Sequence, residues 1–349
     1  MSSTASPASG VPGDGSLHVV EDCLGVLQLL SDGTVKRAPP PSLVLPDDAP
    51  LPADAPVKWK DVVYDETHNL SLRMYAPSAG AGAGAKKKLP VLVYFHGGGF
   101  CLGTFAMADF HALCLRLAAE LPAVVISADY RLAPEHRLPA AHDDADSLLA
   151  WLRAQAAATA DPWLAESSAD FGRVFLSGDS AGANIAHHAA VRVASGDVAV
   201  TPALISGCVL LWPYFGGERR TASEAACPAD AFLTLALSDQ MWRMALPAAA
   251  DRDHPAANPF GPDRPSLDTV GLPPLLVATG DGDMLVDRIR DYVARLNAMG
   301  KRVELVEFAG QGHAFAIFRP EIEDAGELVR VVRQFVHGGA PVPAPPSSA

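Results

Sequence analysis

Gly178-Asp179-Ser180-Ala181-Gly182 decides the fold when it is read with the apolar run before it, Arg173-Val174-Phe175-Leu176-Ser177. One serine between two glycines, directly after a strand-type run, is the pattern of a nucleophile elbow. The chain must leave a strand and enter a helix beginning near Ala181 through a turn with no room for side chains two residues to either side. Such a turn lifts the hydroxyl above the sheet. It also sets the next backbone N–H at a helix N-terminus, where an oxyanion would form.

The same five residues also occur in tight strand-to-helix turns that do no chemistry, so a second motif is needed. His96-Gly97-Gly98-Gly99-Phe100 supplies it, following another buried-strand run, Val91-Leu92-Val93-Tyr94-Phe95. A run of glycines lets several N–H groups converge on one point, as the glycine-rich oxyanion loop of lipases and esterases does. A phosphate-cradling dinucleotide loop is the competing reading of Gly97, Gly99 and Gly103. It fails because the third glycine falls one residue late and no helix pattern opens after it.

A serine hydroxyl attacks poorly until a base takes its proton, so an acid and then a histidine should follow in the chain. The late strand Pro274 to Thr279 runs into Gly280-Asp281-Gly282-Asp283-Met284-Leu285-Val286-Asp287. The next, Val303 to Phe308, ends in Ala309-Gly310-Gln311-Gly312-His313. His313 thus stands in a glycine-flanked loop after a strand, a fit place for the base. Asp281, Asp283 and Asp287 all compete for the carboxylate role, the other two being a turn residue and a helix-start acid. A calcium loop is the other reading of this cluster, but it would need oxygen ligands where Leu285 and Tyr292 stand, and no metal is expected.

These motifs resemble those of plant carboxylesterases of the hormone-sensitive-lipase type, an α/β-hydrolase branch related to the gibberellin receptors. The likeness runs from about Val19 to about Val336 and includes Glu21 to Gly25, Asp129-Tyr130-Arg131-Leu132-Ala133-Pro134-Glu135-His136 and Asn184 to His188. It continues through Phe215 to Thr221 and Asn258-Pro259-Phe260-Gly261-Pro262. The resemblance implies Asp283 as the acid, the first carboxylate of a segment ending in Asp287-Arg288. The N-terminal block, the Phe215 block and Asp251 to His254 look most similar to the carboxylesterase 15 subgroup, which implies strigolactone hydrolysis. Gibberellin receptors share the fold and the serine but lack the histidine, so His313 separates the two readings. A dehydratase or an acyl transferase on the same triad stays open.

The expected chemistry is acyl transfer to water by Ser180, His313 and Asp283, with no cofactor. Gly98, Gly99 and Ala181 would bind the oxyanion through backbone N–H groups, Gly97 shaping the loop. Phe100, Tyr214, Phe215, Trp242, Met244, Leu246 and Phe315 are expected as a group to line an apolar pocket, with Asp179 counted among the substrate contacts. For any one of the aromatic or aliphatic members, core packing is the plainer role. Tyr130, Arg131 and Glu135 should brace the His96 loop, and His136, His142, His187, His188 and His254 should be structural.

The chain has 349 residues, 49% hydrophobic, enough for one full α/β-hydrolase core. A net charge of −13 argues against binding to nucleic acid or an anionic membrane. The expected partner is a small ester substrate, and the protein a monomer or homodimer. Five scattered cysteines without paired spacing suit a reducing compartment, and the expected location is the cytoplasm, with the nucleus as a second one. The Ser-, Pro- and Gly-rich start has no basic n-region or apolar core of a signal peptide.

Along the chain, disordered tails are expected at residues 1–16 and 338–349, and an N-terminal lid over 17–57 that begins as a helix from Leu17 to Leu30. The α/β-hydrolase domain should occupy 58–337. It opens with a hairpin of Lys58–Tyr64 and Leu70–Tyr75, followed by alternating strands and helices that make a mostly parallel sheet wound on both faces. That rhythm stops at about residues 215–273, read as a cap insertion with a helix from Ser238 to Leu246.

Overall fold

The chain divides into two units, residues 1–39 and 40–349. A computed structural model describes residues 17–38, 56–78, 88–157, 161–263 and 265–338. The expected tail at 1–16, all of the 338–349 tail but Gly338, the proline-rich 39–55 stretch and most of the 79–88 connection lie outside the described residues.

The first unit corrects the expected helix. Residues 17–38 form three antiparallel strands, β1 (Val19–Cys23), β2 (Leu27–Leu30) and β3 (Val35–Arg37). Turn chemistry overrides the apparent helical spacing of Val20, Leu24 and Leu27. Gly25 takes φ +69° and its N–H donates to Asp22 Oδ1 at 2.8 Å, while Gly33 takes φ +86° beside Asp32, which accepts from the Thr34 N–H at 2.9 Å. Cys23, Leu27 and Leu30 are buried, whereas Leu17, Val19, Val20 and Leu24 are exposed.

In the second unit, β4 (Val57–Asp65) and β5 (Leu70–Pro77) make the expected hairpin. The alternation then runs β6 (Leu89–Phe95), α1 (Ala108–Glu120), β7 (Val124–Ala128), α2 (Ala140–Ala156), the short α3 (Pro162–Glu166), β8 (Ala169–Asp179), α4 (Ala181–Ala194) and β9 (Ile205–Leu211). The cap segment holds α5 (Ala222–Ala225) and α6 (Leu235–Ala245). After it come β10 (Leu275–Gly280), α7 (Val286–Ala298), β11 (Val303–Phe308), α8 (Phe315–Phe318) and α9 (Glu323–His337).

The sheet has eight strands in the order β11-β10-β9-β8-β6-β7-β5-β4, parallel from β11 to β7 and antiparallel at the β5–β4 end. Strands of the parallel part are covered on both faces, which is why β7 is buried at every position and β6 at all but its first. On one face α1 and α9 share a single apolar cluster with Val125, Phe175, Val209 and Leu276. On the other, α4 packs against β8 and β9, with α2 behind it. The sheet thus brings the carboxyl ends of β6, β8, β10 and β11 to one edge, where open α/β sheets hold their ligands.

Candidate active site

The turn from β8 into α4 is as tight as its glycines imply. Ser180 takes φ 52° and ψ −117°, a conformation L-residues rarely adopt. A Cβ on Gly178 would fall 2.3 Å from the Gly182 carbonyl carbon, and one on Gly182 would fall 1.9 Å from the Phe95 oxygen. The turn is held by Ser180 N–H donating to the Leu211 carbonyl (2.9 Å) and by the Ser180 carbonyl accepting from Tyr214 N–H (3.0 Å). Asn184, fully buried one turn into α4, donates to the Tyr214 and Ala256 carbonyls at 3.1 and 3.0 Å and so ties the cap to the elbow.

His313 reaches this serine from the loop after β11. Its Nε2 lies 3.0 Å from Ser180 Oγ and its Nδ1 lies 2.7 Å from Asp283 Oδ2. With Asp283 accepting at Nδ1, the imidazole presents an unprotonated Nε2 to the hydroxyl, the tautomer that general-base activation requires. The second Asp283 oxygen accepts from the Leu285 N–H at 2.9 Å, so the carboxylate is held at both ends. Its two rivals are engaged elsewhere. Asp281 accepts from the Gly310 N–H at 2.6 Å, and Asp287, in the first turn of α7, accepts from the Ser223 N–H at 2.8 Å.

The glycine loop after β6 closes the site. Gly98 and Gly99 take φ +112° and +59°, conformations that favour glycine, and a Cβ on Gly99 would strike Met241 Sδ at 2.1 Å. Gly97 lies on the elbow itself, since its Cβ would fall 2.2 Å from Asp179 Oδ2 and 3.2 Å from Ser180 Cβ. This packing sets the loop backbone beside the Ala181 end of α4, where several N–H groups can converge on an oxyanion. Tyr130 braces the loop by stacking on His96 at 4.4 Å and donating its hydroxyl to the His96 carbonyl at 2.9 Å. Arg131 instead pairs with the buried Asp144.

Several expected substrate contacts are packing residues. Asp179 is buried beneath the glycine loop, accepting from the Tyr94 hydroxyl at 2.6 Å and from the Gly97 N–H, and burial raises its pKa above the usual carboxylate range. Phe100, Tyr214 and Trp242 form a closed aromatic cluster, with Tyr214 and Trp242 stacked at 4.3 Å. Trp242 and Leu246 touch a cleft of about 260 Å³ beside Glu218 and Arg252. Phe215 lines a cleft of about 650 Å³ to whose wall no triad residue contributes. Phe315 does border, with His313, a cavity of about 380 Å³.

Residues that sequence reasoning missed hold this frame together. Arg288 pairs with the buried Glu224 at 2.5 and 2.9 Å and donates to the Gly216, Gly217 and Arg219 carbonyls, clamping the cap to α7. The only local sign of Glu224 is its capping-box spacing from Thr221. Tyr94 and Met241 carry no local signal, because their partners are distant in sequence.

A family model for the α/β-hydrolase fold matches residues 92–317, a span that contains the elbow, the glycine loop, the acid and the histidine. The chain belongs to this family. Carboxylesterase 20 of Arabidopsis thaliana is 37% identical over 290 residues, covering 81% of this chain and 86% of that relative. The 2-hydroxyisoflavanone dehydratase of Glycyrrhiza echinata is 36% identical over 321 residues, covering 89% and 94%. Among solved structures, an esterase of Pyrobaculum calidifontis superposes with a TM-score of 0.67 at 31% identity, covering 80% of this chain and 84% of that one. The protein is a carboxylic ester hydrolase of the α/β-hydrolase type, similar to plant carboxylesterases. Among the described residues, no helix of this hydrolase is long and apolar enough to cross a membrane.

Proposed function

We propose that the hydrolase is a serine carboxylesterase whose nucleophile is Ser180, whose base is His313 and whose orienting acid is Asp283. The observation that carries this is the unbroken line of hydrogen bonds from Asp283 through His313 to Ser180, at 2.7 and 3.0 Å. Ser180 Oγ attacks the ester carbonyl carbon as its proton passes to His313 Nε2. The tetrahedral oxyanion is held by the N–H groups of Gly98, Gly99 and Ala181, each worth about 2.7–4 kcal/mol of barrier. Collapse breaks the bond to the alkoxide, which takes the proton from His313. Water then repeats the cycle on the acyl-serine, restoring the hydroxyl and releasing the acid.

The substrate in this reading is a small apolar ester of the strigolactone type, and the role is hormone catabolism in the cytoplasm. Support comes from the sequence likeness of the N-terminal, Phe215 and Asp251 segments, and from five free thiols that suit a reducing compartment. The histidine argues against a receptor of the gibberellin type, which needs binding and no base. Multiple-turnover hydrolysis of a strigolactone, products identified by mass spectrometry, with His313→Ala as control, tests the assignment. Binding without product release, or turnover of simple esters alone, overturns the hormone role.

The likeness to a 2-hydroxyisoflavanone dehydratase favours one second reading, in which the same histidine removes a carbon-bound proton and water leaves. Offering a 2-hydroxyisoflavanone beside the ester panel separates the two, because dehydration releases water without forming an acid.

A further inference from the structure

The stretch that carries the histidine has little of its own to hold it. Ala309-Gly310-Gln311-Gly312 contains two glycines, and a Cβ on either would meet only open space. Directly after His313, Ala314 takes φ 58° and ψ 24°, a left-handed conformation that a non-glycine residue keeps only where its surroundings impose it. Gln311 is the one residue of the four whose side chain can hydrogen-bond.

Its backbone and its side chain reach in different directions. The Gln311 carbonyl faces the acid loop, accepting from the Gly282 N–H at 3.0 Å, and a Cβ on Gly280 would fall 2.0 Å from that oxygen. The side chain faces α8 and α9 instead. Its Nε2 donates to Asp324 Oδ2 at 2.6 Å, and its Oε1 accepts from the Arg319 guanidinium. Asp324 stands in the first turn of α9, whose Ala325, Leu328, Val329 and Val332 are buried in the core, so the amide is tied to a packed helix. Both partners are charged, which makes these hydrogen bonds the stronger kind. An amide donates to one and accepts from the other at once, which neither a carboxylate nor an ammonium can do.

We propose that Gln311 is a positioning residue for the reaction, its side chain bridging Asp324 and Arg319 to keep His313 in line with Ser180 and Asp283. The bridge holds the loop from the helix side and the Gln311 carbonyl holds it from the acid side. The imidazole two residues on is thereby kept 3.0 Å from the serine and 2.7 Å from the acid. This deepens the esterase reading and rests on it.

The test is steady-state hydrolysis of an aryl acetate by the full-length protein, with urea unfolding of each variant. Gln311→Ala should lower kcat at least about tenfold, the scale of a slightly misplaced catalytic group, with KM changed less than about twofold and the urea midpoint little moved. Gln311→Glu should lose a similar amount, because it keeps the Arg319 contact but sets a second carboxylate against Asp324. Combining it with Asp324→Asn should return kcat to within about threefold of the wild type, since the asparagine amide can donate to the new carboxylate. Wild-type kcat in Gln311→Ala, a loss carried by KM, or a loss in Gln311→Glu that the paired exchange does not recover overturns the proposal while the esterase reading stands. Wild-type hydrolysis by His313→Ala overturns both.

Discussion

Asp283, Asp281 and Asp287 lie within seven residues of one another and only their partners separate them. All three follow the carboxyl end of β10, so spacing alone makes each a candidate. The fold turns one toward His313, one toward Gly310 and one toward the cap. Asp283→Asn should therefore lower kcat by about four orders of magnitude, because the amide can donate to Nδ1 and leave the imidazole in the wrong tautomer. Asp281→Asn, which weakens one loop hydrogen bond, should cost less than tenfold, about the worth of such a bond. Steady-state kinetics on a simple acetate checks both, and an exchange of the two effects would move the acid to Asp281. Ser180→Ala should abolish turnover with the urea midpoint little changed, since the elbow is fixed by backbone bonds and glycine contacts that alanine leaves in place. Serine, histidine and glycine loop were legible because each sits in a motif whose backbone demands show in the sequence. The place of Asp179 was not, since it depends on Tyr94, 85 residues earlier.

At the level of elements, the parallel strands announced themselves as continuous apolar runs, and their helices as the stretches between. The N-terminal three-stranded sheet did not, because a few apolar residues fit period 3.6 as easily as short strands, and only its Asp22–Gly25 and Asp32–Thr34 turns discriminate. The cap's attachment was equally hidden, since it rests on a buried ion pair spanning 64 residues. Breaking that pair leaves a charge buried, so Arg288→Ala should cost about 3–5 kcal/mol in urea unfolding. It should lower kcat as well, because Ser223 on α5 donates to the Met284 carbonyl beside the acid. Arg288→Lys should not restore either, having no planar fork for the carboxylate and three carbonyls. A second element-level effect lies where α1 meets β5. His111 Nδ1 faces the Tyr75 hydroxyl at 2.8 Å and the Arg73 guanidinium at 3.2 Å, and burial, then Arg73, holds its pKa down to about 4. The unfolded chain takes up this proton near pH 6.5 and the folded one only near 4. Stability should thus fall as pH drops through that window, by on the order of 1 kcal/mol once its partial exposure is discounted. His111→Asn, which keeps an acceptor but cannot titrate, should flatten this part of the urea-midpoint profile.

For the molecule as a whole, a net charge of −13 and a neutral ester imply encounter without electrostatic steering. The kcat/KM for an uncharged ester should change less than about twofold between about 50 and about 500 mM salt, and a steep decline would mean a charged substrate. The N-terminal unit poses the harder question. Its three short strands bury Cys23, Leu27 and Leu30 while leaving Leu17, Val19, Val20 and Leu24 exposed. A sheet this small has too little apolar surface to persist without something to cover. If the expected lid role holds, its benefit grows with substrate size. Deleting residues 1–40 should then lower kcat/KM for bulky ring-bearing esters at least about tenfold while methyl acetate loses far less, since a small ester needs little enclosure. Deleting residues 1–16 alone should alter neither. Equal losses on both substrates, with a lowered urea midpoint, would make the unit a structural arm.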